Sequence, residues 1–261
     1  MPGYAPTPVV AMPELAGTGQ VAGIAVKNEQ ERLGLPSFKL LGSSWALHER
    51  VKAAAGLSPD ALIAFPDLSR IARGLGPPTL CTASDVMAGY GTLFEEFFDQ
   101  IFRPPDLLFV QAGVGGLSAA AASSLRRISA TARVVVVEPE GSNAIALSFA
   151  SGAPVSVPDT PTVMACLRCQ SASFVAWPIL LAGIDAAMVV TDAEAAAAVR
   201  ELARRGVIAG ASGAAGLAGA LVASADGMLR ARLGITADSQ VAVVNTEGAT
   251  DPASYAAILA G

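Results

Sequence analysis

The chain has 261 residues, of which 52% are hydrophobic and 15% charged. That is enough to bury a sizeable core, and it excludes a disordered chain. A formal net charge of -5 excludes the basic footprint of a nucleic-acid binder, and no apolar run reaches the ~18 residues of a membrane-spanning helix.

The N-terminus, MPGYAPTPVV, has no basic stretch ahead of an apolar core, so no signal peptide is expected. Three cysteines, Cys81, Cys166 and Cys169, do not make a disulfide scaffold. A soluble, cytoplasmic protein is the expectation.

Residues 1–20 read as an irregular lead-in with a short extended piece at 9–12, and IAVKNE (24–29) as a short strand. Residues 38–55 predict a helix, because Leu40, Leu41, Leu47 and Val51 share one broad face. GLSP, FPD and GLGPP break 56–80 into loops and short helical pieces. In TLFEEFFDQIFR (92–103), apolar residues recur at helical spacing.

From residue 104 strands and helices alternate. LLFV (107–110) predicts a strand, AGVGG a turn, and an alanine-rich helix runs to about 128. VVVV (134–137) fits a strand covered on both faces. A helix over 143–151 and a strand over 187–190 follow. Thr191 and Glu194 have the spacing of a capping box for a helix over 192–204. A small-residue helix (213–225) and a last strand, VAVVN (241–245), complete an α/β pattern with a largely parallel sheet. In such a sheet, ligands bind at the carboxyl ends of the strands.

Two places carry candidate chemistry. In QAGVGGLSAA (111–120), Gly113, Gly115 and Gly116 lack Cβ atoms, so backbone amides can converge on an anion at a helix N-terminus. The segment reads equally as a phosphate cradle or as a tight strand-to-helix turn with no ligand. It is neither a dinucleotide fingerprint nor a triphosphate loop. The second place is Lys39, one of only three lysines. An amine enclosed in apolar surroundings gives up its proton more readily and can condense with an aldehyde. A helix lysine with its head in water is the simpler reading of the same residue. Of the other two, Lys27 reads as solvated or salt-bridged and Lys52 as exposed.

PSFK (36–39) followed closely by Gly42, with the later GVGG turn, resembles the fold type II pyridoxal-phosphate enzymes, which include serine and threonine dehydratases and threonine synthase. Within them the likeness is closer to diaminopropionate ammonia-lyase. It is carried by YAPTPVVAMPELA (4–16), KNEQERLGLPSFKLLG (27–42), TASD (82–85), GYGTLFEE (89–96), DLLFVQAGVGGL (106–117), VVVVEPEG (134–141), GASGAAGLAG (210–219) and NTEGATDP (245–252), in the family's order.

The resemblance implies an α/β large domain of 1–35 and 104–261 that binds pyridoxal 5'-phosphate, and a remnant small domain at 36–103. Lys39 would carry the cofactor, and Gly113, Val114, Gly115, Gly116 and Leu117 would hold its phosphate. Thr246 would stand near the pyridine nitrogen. Asp85 would act as a base toward the α-carbon, or else be a loop or helix-cap aspartate. The implied reaction converts 2,3-diaminopropionate to pyruvate and ammonia in a homodimer. A serine/threonine dehydratase-like lyase and an inactive pyridoxal-phosphate-binding remnant are the alternatives.

The chain also departs from the family's pattern. After TASD the family continues with a Gly-Asn-His-Gly run and roughly a hundred further residues, whereas here TASD runs into VMAGYGTLFEE. The chain thus resembles an internally deleted, N-terminally short lyase. Ala211 stands where the family has a glutamate. His48 is expected to be partly exposed. Cys166-Leu-Arg-Cys169 lacks the partners of a redox pair or a zinc site, and the resemblance places it in a loop beside the active site. Trp45, Trp177 and the phenylalanines at 94–102 are expected in the core or at a subunit interface, Tyr90 in the core or else near the cofactor, and Arg126, Arg127, Arg204 and Arg205 at solvated helix ends.

Overall fold

The computed structural model describes residues 4–13, 21–61, 63–75 and 83–261. Cys81, Thr82 and parts of the N-terminal lead-in and of the GLGPP stretch lie outside the described residues.

The strands are β1 (Val9–Met12), β2 (Gly23–Asn28), β3 (Leu107–Gln111), β4 (Arg133–Pro139), β5 (Ala186–Val190) and β6 (Gln240–Asn245). They form one sheet in the order β1-β2-β6-β3-β4-β5. Every pairing is parallel except β1 with β2, which is antiparallel in the register Val9 to Lys27. All five residues of β3 are buried. Alternate residues of a strand face opposite ways, and here both ways lead into core. Phe109, Val135, Val137, Val241 and Val243 join one apolar cluster. Leu108, Val110, Val134, Val136 and Val244 join the other. That accounts for VVVV as an unbroken apolar run.

Helices α1 (Lys39–Ala54), α2 (Phe65–Gly74) and α3 (Ala83–Gln100) come from the segment between β2 and β3. They are followed by α4 (Gly116–Ile128), α5 (Ala144–Ser151), α6 (Trp177–Gly183), α7 (Asp192–Ala203), α8 (Ala211–Ala225), α9 (Gly227–Leu233) and α10 (Pro252–Ala260). The capping box at Thr191 and Glu194 is present. Helices α6, α9 and α10 have no counterpart in the sequence reading.

Helix α3 begins nine residues before the predicted 92. Two glycines in its first half weaken the helical signal, but one has a packing role. A Cβ on Gly89 would lie 2.7 Å from the Cα of Gly42 and 2.8 Å from the carbonyl oxygen of Leu41. Helices α1 and α3 therefore touch backbone to backbone.

The lysines differ from expectation. Lys27 is fully buried and paired with Glu96, so it is salt-bridged but not solvated. Glu96 also takes Arg32 at 2.9 Å, and Arg32 takes Glu29 at 2.6 Å. This buried cluster joins β2 to α3, and Thr7 enters it through a hydrogen bond of 2.5 Å to Glu29. Lys52, expected at the surface, is buried, because its amine bonds Glu49 and the Pro59 carbonyl. Phe94 and Phe97 are core, whereas Phe102 is fully exposed. Trp177 is buried and Trp45 exposed.

Candidate functional site

A cleft of about 290 Å³ opens where β3 and β6 end, the position expected for a ligand in such a sheet. Three of the stretches of chain that meet there bear the candidate residues Lys39, 113–117 and Thr246.

The first is the start of α1. The Phe38 N–H donates to the Thr246 carbonyl at 3.2 Å, and the Gly248 N–H donates to the Pro36 carbonyl at 3.1 Å. Ser37 pairs with Glu247 as an isolated antiparallel bridge. This seam ties residues 36–38 to the end of β6. Phe38 is buried and packs on Tyr90, ring centroids 4.8 Å apart. With the seam on one side and the aromatic pair on the other, Lys39 begins the helix at the cleft wall.

Lys39 is exposed rather than enclosed, which agrees with the simpler of its two sequence readings and not with a sheltered amine. Its Nζ lies 3.6 Å from the Sγ of Cys166.

The second stretch is the turn at 113–117. Gly115 has φ +94°, a conformation that favours glycine. A Cβ there would lie 2.6 Å from Leu180 Cδ1, and one on Gly113 would lie 2.9 Å from Cys169 Sγ. The turn delivers the chain into α4, whose first-turn amides have no intrahelical carbonyl and no side-chain cap. Val114 lines the cleft and is half exposed, and Leu117 is buried on its wall.

The third stretch leaves β6. Thr246 and Glu247 are each 5% exposed. Gln111 Nε2 reaches Thr246 Oγ1 at 2.9 Å and the Gly213 carbonyl at 2.9 Å, locking the ends of β3 and β6 to the first turn of α8. Because Thr246 Oγ1 accepts that bond, its own proton is free to point into the cleft.

The Glu247 side chain lies against the same turn of α8. A Cβ on Gly210 would lie 2.5 Å from its Oε1. Ala211 itself brings no carboxylate, but that of Glu247 stands beside it. Cys166 Sγ is 3.4 Å from Glu247 Oε2. Burial and the neighbouring Glu247 charge push the Cys166 thiol up, so it stays protonated and donates.

Lys39, residues 113–117 and Thr246 are therefore brought together. Asp85 is not among the residues lining the cleft. It lies in the first turn of α3, where its Oδ2 accepts from Arg50 Nε at 2.8 Å. The cysteine loop does border the cleft, as the resemblance implied, and Tyr90 lines it rather than the core alone. Glu247, Gln111 and Ser212 line it unannounced. For Glu247 the signal was its place beside Thr246, just past a buried strand.

Pyridoxal phosphate fits this donor set. An accessible primary amine suits its aldehyde, a glycine turn at a helix N-terminus suits its phosphate, and a buried hydroxyl is available for its ring nitrogen.

Residues 70–247 match the family model described as pyridoxal-phosphate dependent enzyme. The chain is 26% identical to the diaminopropionate ammonia-lyase of Escherichia coli (strain K12), over 97% of this chain and 87% of that one. That alignment runs over 346 residues against a chain of 261, so the relative carries residues with no counterpart here. It is also 28% identical to the L-threo-3-hydroxyaspartate ammonia-lyase of Saccharomyces cerevisiae, over 68% of this chain and 52% of that one. Among solved structures, holo diaminopropionate ammonia lyase from Escherichia coli superposes with a TM-score of 0.83 at 22% identity, covering 99% of this chain and 88% of that one. The fungal L-serine ammonia-lyase from Rhizomucor miehei gives 0.75 at 20%, covering 98% of each chain.

Proposed function

This chain belongs to the pyridoxal-phosphate dependent enzyme family, and on that premise we propose that it is an ammonia-lyase that turns 2,3-diaminopropionate and water into pyruvate and two molecules of ammonia. The observation that carries the proposal is that the amine of Lys39, the turn at 113–117 and Thr246 line one cleft.

When bound, pyridoxal phosphate supplies an electron sink for charge developing at a substrate α-carbon. Lys39 would hold the aldehyde, and its Nζ would take the α-proton. The amides that open α4 would hold the phosphate without a side chain, which suits an anion at a helix N-terminus. The Thr246 hydroxyl would donate to the ring nitrogen. Phe38 and Tyr90 wall off water on one side. Asp85, engaged by Arg50, stays outside this assignment.

The exposure of Lys39 favours a second reading, cofactor binding without turnover, because orientation in a closed site is worth ~7–11 kcal/mol. The test is one cuvette: purified protein with pyridoxal phosphate, titrated with 2,3-diaminopropionate while pyruvate is assayed. A long-wavelength absorbance band that is lost in Lys39→Ala, together with pyruvate release, supports the lyase. A spectral change without pyruvate supports the second reading. Absence of the band in the unaltered protein removes both.

A further inference from the structure

We infer that Glu247 selects the substrate, by receiving a second, positively charged amino group that serine and threonine lack. The inference rests on the lyase reading above.

A carboxylate taken out of water needs a positive partner or several donors. Glu247 is 5% exposed, and among the described residues no lysine, arginine or histidine pairs with it. Its one side-chain hydrogen bond there is the weak thiol contact from Cys166 to Oε2. Oε1 has none among the described residues, and it is not sealed off either, since Glu247 lines the open cleft. The backbone explains why the group sits there. Glycines 210 and 213 leave room for it, since a Cβ on either would lie within 3.1 Å of its side chain. The opening of α8 favours a negative charge at this place.

Position adds the chemistry. A single sulfur atom, 3.6 Å from one and 3.4 Å from the other, separates Lys39 Nζ from Glu247 Oε2. The substrate's α-amine must reach the place of Lys39 Nζ. In a 2,3-diamino acid the other nitrogen is carried on the adjacent carbon, so it arrives in the gap spanned by Cys166. There the carboxylate favours the protonated amine. That is the form in which the β-carbon–nitrogen bond can break with its electron pair leaving on neutral ammonia, while the α-proton goes to Lys39. A hydroxyl at the same carbon offers no charge to Glu247.

The experiment uses the cofactor-loaded protein and stopped-flow absorbance to find the half-saturating concentration of racemic 2,3-diaminopropionate and of racemic serine. Glu247→Gln should raise the value for the diamino acid about tenfold or more and leave that for serine within twofold, with the cofactor band intact. Glu247→Asp, which keeps the charge, should recover part of the preference. Cys166→Ala, which removes the thiol and spares the carboxylate, should keep it. Equal weakening for both amino acids, no weakening for either, or loss of the preference in Cys166→Ala would overturn the inference while the lyase reading stands. No spectral response to either amino acid in the unaltered protein would overturn both.

Discussion

The Nζ of Lys39 stands 3.6 Å from the Sγ of Cys166, although 127 residues separate them along the chain. The contact joins the first residue of α1 to the loop ahead of α6, across the mouth of the cleft. Since Lys39 is exposed and a sulfur is a weak partner, the protein gains little stability from it. Cofactor-free Lys39→Ala should unfold within about 0.5 kcal/mol of the parent in urea. Added pyridoxal phosphate should raise the midpoint of the parent more than that of the variant. A large loss of stability without cofactor would show that the lysine is structural.

Glu96 is the hub of the buried cluster with Lys27 and Arg32. Removing it leaves the buried amine of Lys27 without a carboxylate, while Arg32 keeps Glu29, so Glu96→Ala should cost ~3–5 kcal/mol. Its titration gives a second handle. Burial alone would raise the carboxyl, but hydrogen bonds from Arg32, Lys27 and Tyr4 outweigh it and hold the group at about 2. The folded value lies below the ordinary 4.5, so this stabilisation is complete above 4.5 and is lost as pH falls toward about 2. Unfolding free energy measured across that window should decline with acid in the parent and decline less in Glu96→Gln.

Glu138 behaves in the opposite sense. Burial pushes its carboxyl up to about 7, although the Ile145 and Ala146 N–H groups donate to it at 2.9 and 2.7 Å. A value raised above 4.5 favours the folded state at low pH, and that advantage fades as pH climbs from 4.5 through 7. The parent should lose stability over that range, and Glu138→Gln should show a flatter profile. An identical slope in both proteins would assign the dependence elsewhere.

Gly89→Ala should force α1 away from α3, since the new methyl meets backbone atoms of Leu41 and Gly42 that cannot rotate aside. Overpacking of this kind costs ~1–3 kcal/mol. Because Lys39 opens α1, affinity for pyridoxal phosphate should weaken along with stability. A cofactor titration of a variant with unaltered affinity would uncouple the helix contact from the site.

The sheet was readable from sequence because buried strands declare themselves. VVVV and LLFV are unbroken apolar runs, and Thr191 with Glu194 is a cap with a mechanism. The glycine turn was readable for the same reason, since its left-handed Gly115 suits few other residues. Helix α3 was half hidden because Gly89 serves a contact with a helix some forty residues earlier, which no local window contains. Burial of Lys27 was hidden because its partner Glu96 lies 69 residues further along the chain, and that of Lys52 because the chain after α1 folds back to set the Pro59 carbonyl on its amine. Glu247 escaped notice for a related reason: an acidic residue after a strand is ordinary until Gly210, Gly213 and Cys166 are seen to surround it.

The seam between residues 36–38 and 246–248 has an evolutionary corollary. It fastens the start of α1 directly to the end of the last strand, so this side of the cleft is held by one short bridge in addition to the contact of α1 with α3. Segments gained or shed between α1 and α3 lengthen or shorten a detour without removing that bridge. Such an architecture tolerates trimming of the chain between these helices while the bridge to the last strand is kept.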